Sequence, residues 1–378
     1  MGARAKGDPR QEGNAVSPRS LKPEDSEINA AHIPPSDGLP EWLARSDRPA
    51  QDGPSPMGSI PLISFLSQAL AALGRQGTKA VAASIFVGLA LPGLASVAKP
   101  LLVPCILCLL AMSFMRTDLR RLRGGRHTGL LALSLIWIMA ILPAGFGFLV
   151  SRVLPPADNG LMLALIMQAA APPIMSTPAF AALLGIDAAL SLAVMLLSLC
   201  VLPFTAPLFV SHFTDGALAL DGFALAGRLA VILGGCAGAG VALRHLCGPA
   251  RLVRWNDQLN GVNAVLLLVL AVAFMDGVTP WLLADPSFVL GLAGLSASVS
   301  LCALGLTLLL FRRVKGGQDL MLAYAAGNRN FGLMVAAAGG LLPDTTWLYV
   351  ALAQFPIYLL PYLLRPLASR LLLRADPK

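Results

Sequence analysis

Charged side chains are scarce in this chain. Asp, Glu, Lys and Arg make up 13 % of its 378 residues, while 56 % are hydrophobic and the mean hydropathy is +0.72. A soluble domain keeps about 25 % charged residues, so the composition excludes one and points to a membrane protein whose main partner is the lipid bilayer. Histidine is equally rare: His32 lies in a polar N-terminal stretch, and His127, His212 and His245 lie in loops between apolar runs. None has the neighbours of a catalytic or metal-binding histidine. Of six cysteines, all but Cys247 fall inside apolar runs, as small buried hydrophobes do. Cys105 and Cys108 form a lone pair without the further ligands that zinc requires. Paired intramembrane aspartates, a serine beside a base and an HExxH helix are all missing, so no enzyme, metal or organic cofactor is expected. The net charge of +8 does not imply nucleic acid, because the arginines cluster beside apolar runs as cytoplasmic loops require.

What remains is strongly apolar and segmented. Residues 1–57 are the exception, rich in Pro, Gly, Ser and mixed charge; they are too polar to bury a core and predict a disordered tail. They lack the apolar stretch of a signal peptide, and their acidic residues disfavour a transit peptide. Residues 58–78 predict a helix lying along the membrane interface. Residues 79–373 form the transmembrane domain. Its apolar runs, each long enough to span, lie at about 80–97, 99–115, 129–151, 159–185, 188–211, 225–243, 258–277, 286–311, 319–341 and 345–364. The first two share the hinge "LPGLASVAKP", and "GGCAGAG" in the sixth predicts close helix packing. With both termini cytoplasmic, nearly all loop Lys and Arg fall on one side. The Ala/Leu/Arg-heavy composition points to a plasma (inner) membrane.

Two halves, about 79–213 and 224–373, repeat one pattern. The fourth span is interrupted by Pro172, Pro173 and Pro178, and the ninth by Gly327, Asn328, Asn330 and Gly332. Thr177 to Asn330 and Pro203 to Pro356 share one offset of 153 residues. Five spans per half make the repeats inverted. The expected fold is therefore an all-α membrane protein of about ten transmembrane helices, arranged as two five-helix inverted repeats with broken, crossing fourth and ninth helices. Matching broken helices in inverted repeats are the sequence pointer to a transporter's midplane site.

These residues resemble the bile acid:sodium symporter family. "AAGNRNFGL" in the ninth span is similar to that family's signature, in which a glutamate precedes a Gly-x-Gln-Asn element. "PPIMSTPAFAALLGIDAALSLAV" matches its fourth and fifth spans in outline, and "SFMRTDLRRL" its second-span exit. The likeness covers about residues 79–373. It implies a sodium-coupled secondary transporter for organic anions, with two sodium ions held by oxygen ligands. The ligand positions diverge, however. The family's glutamate falls on Ala325, its glutamine on Arg329 and its asparagine on Asn330. The serine–asparagine pair of the fourth span falls on Thr177 and Pro178, the fifth-span serine and threonine on Ser191 and Met195, and a third-span glutamine on Ile138. Thr177, Ser191 and Asn330 are thus the cation-site remnants, and sodium is doubtful.

Arg329 is the charge that needs explaining. It lies about nine residues, roughly 13 Å at helical rise, from the cytoplasmic end of its span, where an arginine costs at least ~2.5 kcal/mol. The expectation is a tethered cation that stands in for the coupling ions and grips a small organic anion with its fork of donors. The competing reading is an arginine that bonds exposed carbonyls of the broken fourth span. Asn328 and Asn330 are expected either to line the cavity or to cap a helix. Ser176 and Thr177 are expected either to line it or to bond back to the backbone. Gln168 and Asn263, polar inside spans, either line the cavity or join helices. Ser296, Ser298 and Ser300 cannot share one helical face and predict small-residue packing. The functional expectation is alternating-access transport of a bile-acid-like or smaller carboxylate or sulfonate. The rivals are a conventional sodium symporter and a non-transporting membrane receptor.

Overall fold

Runs that are apolar on all sides fold as helices whose outward faces meet lipid. The computed structural model describes residues 68, 80, 83–117, 128–186, 188–214, 221–314 and 316–375. Contacts separate Met1–Gly58 from Ser59–Lys378, and every described residue belongs to the second unit. The expected tail, and the interfacial segment apart from helical, exposed Gln68, lie outside the described residues.

Six helices are long and apolar enough to cross a bilayer: α2 (Pro92–Arg116), α3 (Thr128–Val153), α6 (Ala189–Phe213), α7 (Gly222–Cys247), α9 (Asn256–Phe274) and α11 (Pro286–Phe311). The chain is a multi-pass membrane protein, all-helical among the described residues. Helix α1 (83–90) precedes them. Between them lie two interrupted pairs, α4 (Asn159–Ala170) with α5 (Thr177–Leu183), and α12 (Gln318–Gly327) with α13 (Phe331–Ala338). Short helices α8 (Pro249–Arg254) and α10 (Val278–Ala284) join neighbours, and α14 (Asp344–Ala375) ends the fold. Helices α12 and α13 are the more enclosed of these pairs: all of α12 is buried except Asp319, and all of α13 except Gly332. Phe204, Leu208, Val231 and Leu290 point outward and stay exposed, as lipid-facing side chains do.

Among the described residues, every acidic side chain except Asp276 lies at a helix start. Asp158, Asp221 and Asp285 cap α4, α7 and α11 by accepting the N–H groups of Leu161, Phe223 and Phe288, satisfying donors that the first turn leaves free. The Ser287 hydroxyl (2.6 Å) and the Phe288 N–H (3.0 Å) hold the Asp285 carboxyl below the usual carboxylate range. Asp257, Asp319 and Asp344 lie in first turns, favoured there by the helix dipole. Asp276, just past α9, pairs with Lys99 at 2.8 Å. Lys99 also lies 4.9 Å from the centre of the Trp347 ring, whose Nε1 donates to Asp276 O at 2.8 Å.

That cluster corrects the first span boundary. The sequence ends the first run at about 97 and starts the second at about 99, within the hinge 91–100; the structure breaks at Leu91, the first residue of that hinge, before Pro92 opens α2. Pro100 is absorbed by a tight turn at Lys99–Leu101, and α2 continues to Arg116. Lys99 stays in the helix because a partner 177 residues away neutralises it. The last helix likewise runs beyond residue 364, through Pro356, Pro361 and Pro366.

Helix α2 packs against α7 and α9, and α13 touches both α2 and α7. Gly240 permits the α2–α7 approach, since a Cβ there would lie 2.6 Å from Ala111 O. Gly234, Gly235 and Gly238, from the same motif, face open space, so one glycine and not the whole motif sets the contact. Arg228 of α7 reaches across to α13 and caps its C-terminus, with Nη1 donating to Ala338 O at 3.0 Å.

Candidate functional site

The interrupted helices cross where the sequence denies them hydrogen bonds. Pro172 and Pro173 bring no N–H, so α4 stops at Ala170 and the chain restarts as α5 at Thr177. Helix α12 stops at Gly327, and Asn330 caps α13 by accepting the Leu333 N–H at 3.3 Å. The two gaps then pair antiparallel. Ile174 N–H donates to Asn328 O at 2.9 Å and Asn330 N–H to Pro172 O at 2.8 Å, with Pro173 opposite Arg329. Pro173 holds the ladder position whose N–H points away from the partner, so its missing donor costs nothing.

Arg329 is 3 % exposed. Its Nε donates to Ala326 O at 2.7 Å, Nη1 to Ala171 O at 2.8 Å and Ile138 O at 3.3 Å, and Nη2 to Ile138 O at 3.2 Å. The local chain orphans each of these carbonyls. Ala326 would be served by the amide four residues on, but the Asn330 N–H is spent on Pro172 O. Ala171 ends α4 ahead of two prolines. Ile138 lies in a wide π turn in which Leu142 N–H bonds Trp137 O. The next donor in that register is residue 143, a proline. The guanidinium therefore satisfies three carbonyls from three elements. Helix C-termini carry roughly half a negative charge each, and α4 and α12 both end here. One fixed cation balances the two.

This geometry corrects one expectation. Four of the five guanidinium N–H groups are engaged with backbone oxygen, so a two-pronged grip on a substrate carboxylate is not available. The carbonyl-bonding alternative describes the side chain, with three partners rather than one span.

The other predicted residues surround this centre or miss it. Gln168 joins helices: Nε2 donates to Ser300 Oγ at 3.0 Å and Ser296 O at 3.3 Å, and Oε1 accepts from the Tyr349 hydroxyl. Ser296 and Ser300 share the buried face of α11, one turn apart, while Ser298 points away; the sequence reading missed that pairing. Asn328 Nδ2 donates to the Tyr324 hydroxyl at 2.9 Å and Ile357 O at 3.2 Å, with Ser176 in hydrogen-bonding reach of the same hydroxyl. Thr177 and Ser191 donate to their own backbone, at Ile174 O (2.7 Å) and Ala188 O (3.0 Å). With Asn330 spent on its cap, the three cation-site remnants each serve local structure. Asn263 is half-buried on α9, outside this network. Among the described residues, no group of His, Cys, Asp and Glu could hold a metal.

Two expected break residues act differently, and a third, at the break, also fits a close contact. Pro178 is the second residue of α5, where a missing N–H is no loss. Gly332 lies inside α13, where a Cβ would sit 3.4 Å from Ile106. Gly327 closes α12 against α11, and a Cβ there would be 2.7 Å from Ser300 O. Ile138 was named only as the position of a family glutamine, and its carbonyl, not its side chain, joins the centre; Tyr324, Tyr349 and Arg228 were not foreseen. The one local signal was Pro143, five residues after Ile138.

A cleft of about 290 Å³ opens between α3 and α11, with Gln168, Ser300 and Arg329 on its floor and Trp137, Phe146 and Leu306 among its walls. The arrangement defines a multi-pass helical membrane protein whose two interrupted helices cross around a fixed cation. The chain matches no family model and no curated protein.

Proposed function

We propose that this chain is a secondary transporter that moves a small organic anion by alternating access. Arg329 stands where coupling cations stand in the bile acid:sodium symporter family that the sequence resembles. The observation carrying this reading is the guanidinium held entirely by carbonyl oxygens at the crossing, the ligand chemistry an alkali ion would use. The anionic substrate class comes from that family resemblance. Every described carboxylate lies at a helix start or turn, leaving Arg329 as the formal charge at the centre. The ten-span inverted repeat belongs to the same proposal. Its support is that Thr177 and Asn330, 153 residues apart in sequence, both lie at the start of a helix that follows an interruption. Helices α2, α7 and α9 then form a panel that moves against the crossing and the helices around it.

Uptake into proteoliposomes tests the reading, with a panel of carboxylates and sulfonates and sodium replaced by choline. Equal initial rates in the two media are expected for at least one anion. Uptake that requires sodium overturns the tethered cation in favour of a conventional symporter. Binding without uptake of any anion in either medium overturns the transporter in favour of a receptor.

A further inference from the structure

The cleft beside Arg329 does not end at the crossing. A second cavity, of about 520 Å³, is lined by Trp137, Leu306, Leu309, Leu310, Arg312 and Arg313. The two cavities share Trp137 and Leu306 as walls, so they adjoin along the α3–α11 seam and together make a groove. From Trp137 to Leu149 on α3 it runs about twelve residues, roughly 18 Å at helical rise.

Its chemistry is graded along that length. Arg312 and Arg313 stand exposed at the end of α11, and neither pairs with a carboxylate among the described residues. Deeper in, Ile141, Leu306 and Cys302 keep exposed faces toward the lipid. The polar floor is already spent: the Gln168 amide bonds α11 and α14, and Arg329 bonds backbone carbonyls. Trp137 is pinned at the junction by its Nε1 bond to Thr307 Oγ1 at 2.9 Å. The groove therefore offers two positive charges at one mouth and a hydrocarbon surface behind them, open sideways to the bilayer. A soluble anion would use only the mouth; an amphiphile uses the whole length. Basic pockets between membrane helices recognise anionic headgroups in this way.

We propose that the α3–α11 seam is a binding site for an anionic phospholipid, with its phosphate on Arg312 and Arg313 and one acyl chain along Trp137, Ile141 and Leu306. The proposal shares a cleft with the candidate transport site but does not depend on the transport reading.

The test uses the full chain in phosphatidylcholine bilayers containing phosphatidylglycerol brominated on its acyl chains, compared with brominated phosphatidylcholine. The quenching owed to Trp137 is the difference between the chain and its Trp137→Phe variant. Brominated phosphatidylglycerol should quench at a mole fraction about tenfold lower than brominated phosphatidylcholine, the preference two basic side chains give an anionic headgroup. The double variant Arg312→Gln, Arg313→Gln should abolish that preference, and added inorganic phosphate should leave it unchanged. Native mass spectrometry supplies a second readout: phosphatidylglycerol retained by the chain should fall in Leu306→Phe, which narrows the groove without touching charge. Equal quenching by the two lipids overturns the proposal, as does a preference that survives the double variant. Displacement by inorganic phosphate also overturns it, by assigning the mouth to a soluble anion.

Discussion

The two helix interruptions are made of different materials. In the first, residues 171–176, two successive prolines remove the donors that would continue α4, so the gap follows from covalent structure. In the second, residues 328–330, Asn-Arg-Asn could continue a helix at modest cost. That gap is kept open by side chains instead: Arg329 on Ala326 O, Asn328 on Tyr324 and Ile357, and Asn330 on the Leu333 N–H. The first break is written locally and the second is conditional on the fold around it. The backbone pairing between them lets the rigid break hold the conditional one.

The strongest way to break this contrast is Arg329→Met. It strands three buried carbonyls at ~1–3 kcal/mol each, partly offset by removing a buried charge. A net loss of roughly 3 kcal/mol is expected as a lower unfolding midpoint in detergent. Hydrogen exchange should quicken at the Asn330 amide as the second break loosens. Unchanged stability would make the second break as self-sufficient as the first. A smaller effect is expected of Gly327→Ala, at the last residue of α12. Its Cβ would press on the Ser300 carbonyl, and overpacking of this kind costs ~1–3 kcal/mol; thermal unfolding measures it. The finest test is a double-mutant cycle. Pro143→Ala supplies an N–H in register with Ile138 O, so Arg329→Met should cost about 1 kcal/mol less in that background. Strict additivity would show that the proline does not create the vacancy which Arg329 fills.

The same contrast explains what was legible in the sequence. Pro172 and Pro173 announce their break because proline acts on its own backbone, and the depth of Arg329 follows from apolar residues on either side. The broken fourth span was a foreseeable partner, but the particular carbonyls do not follow, because Ile138 and Ala171 lie 191 and 158 residues away. Pro143 marks a free carbonyl, but nothing nearby says which donor arrives. The exact break within the hinge 91–100 was not readable for the same reason: Asp276 and a tight turn carry the helix through Lys99 and Pro100. Gly327 and Gly332 were read as helix breaks; Gly327 does end α12, Gly332 lies inside α13, and each makes room for a neighbouring side chain or carbonyl. Local breakers were readable, and partnerships across the chain were not.

A diffusible ion occupies its site by mass action, and its stabilising effect rises and falls with its concentration. The guanidinium of Arg329 is bonded to the chain and has no such dependence. The crossing is as fully occupied in pure water as in brine, so the stiffness of the protein's centre is decoupled from the salt composition on either side of the membrane.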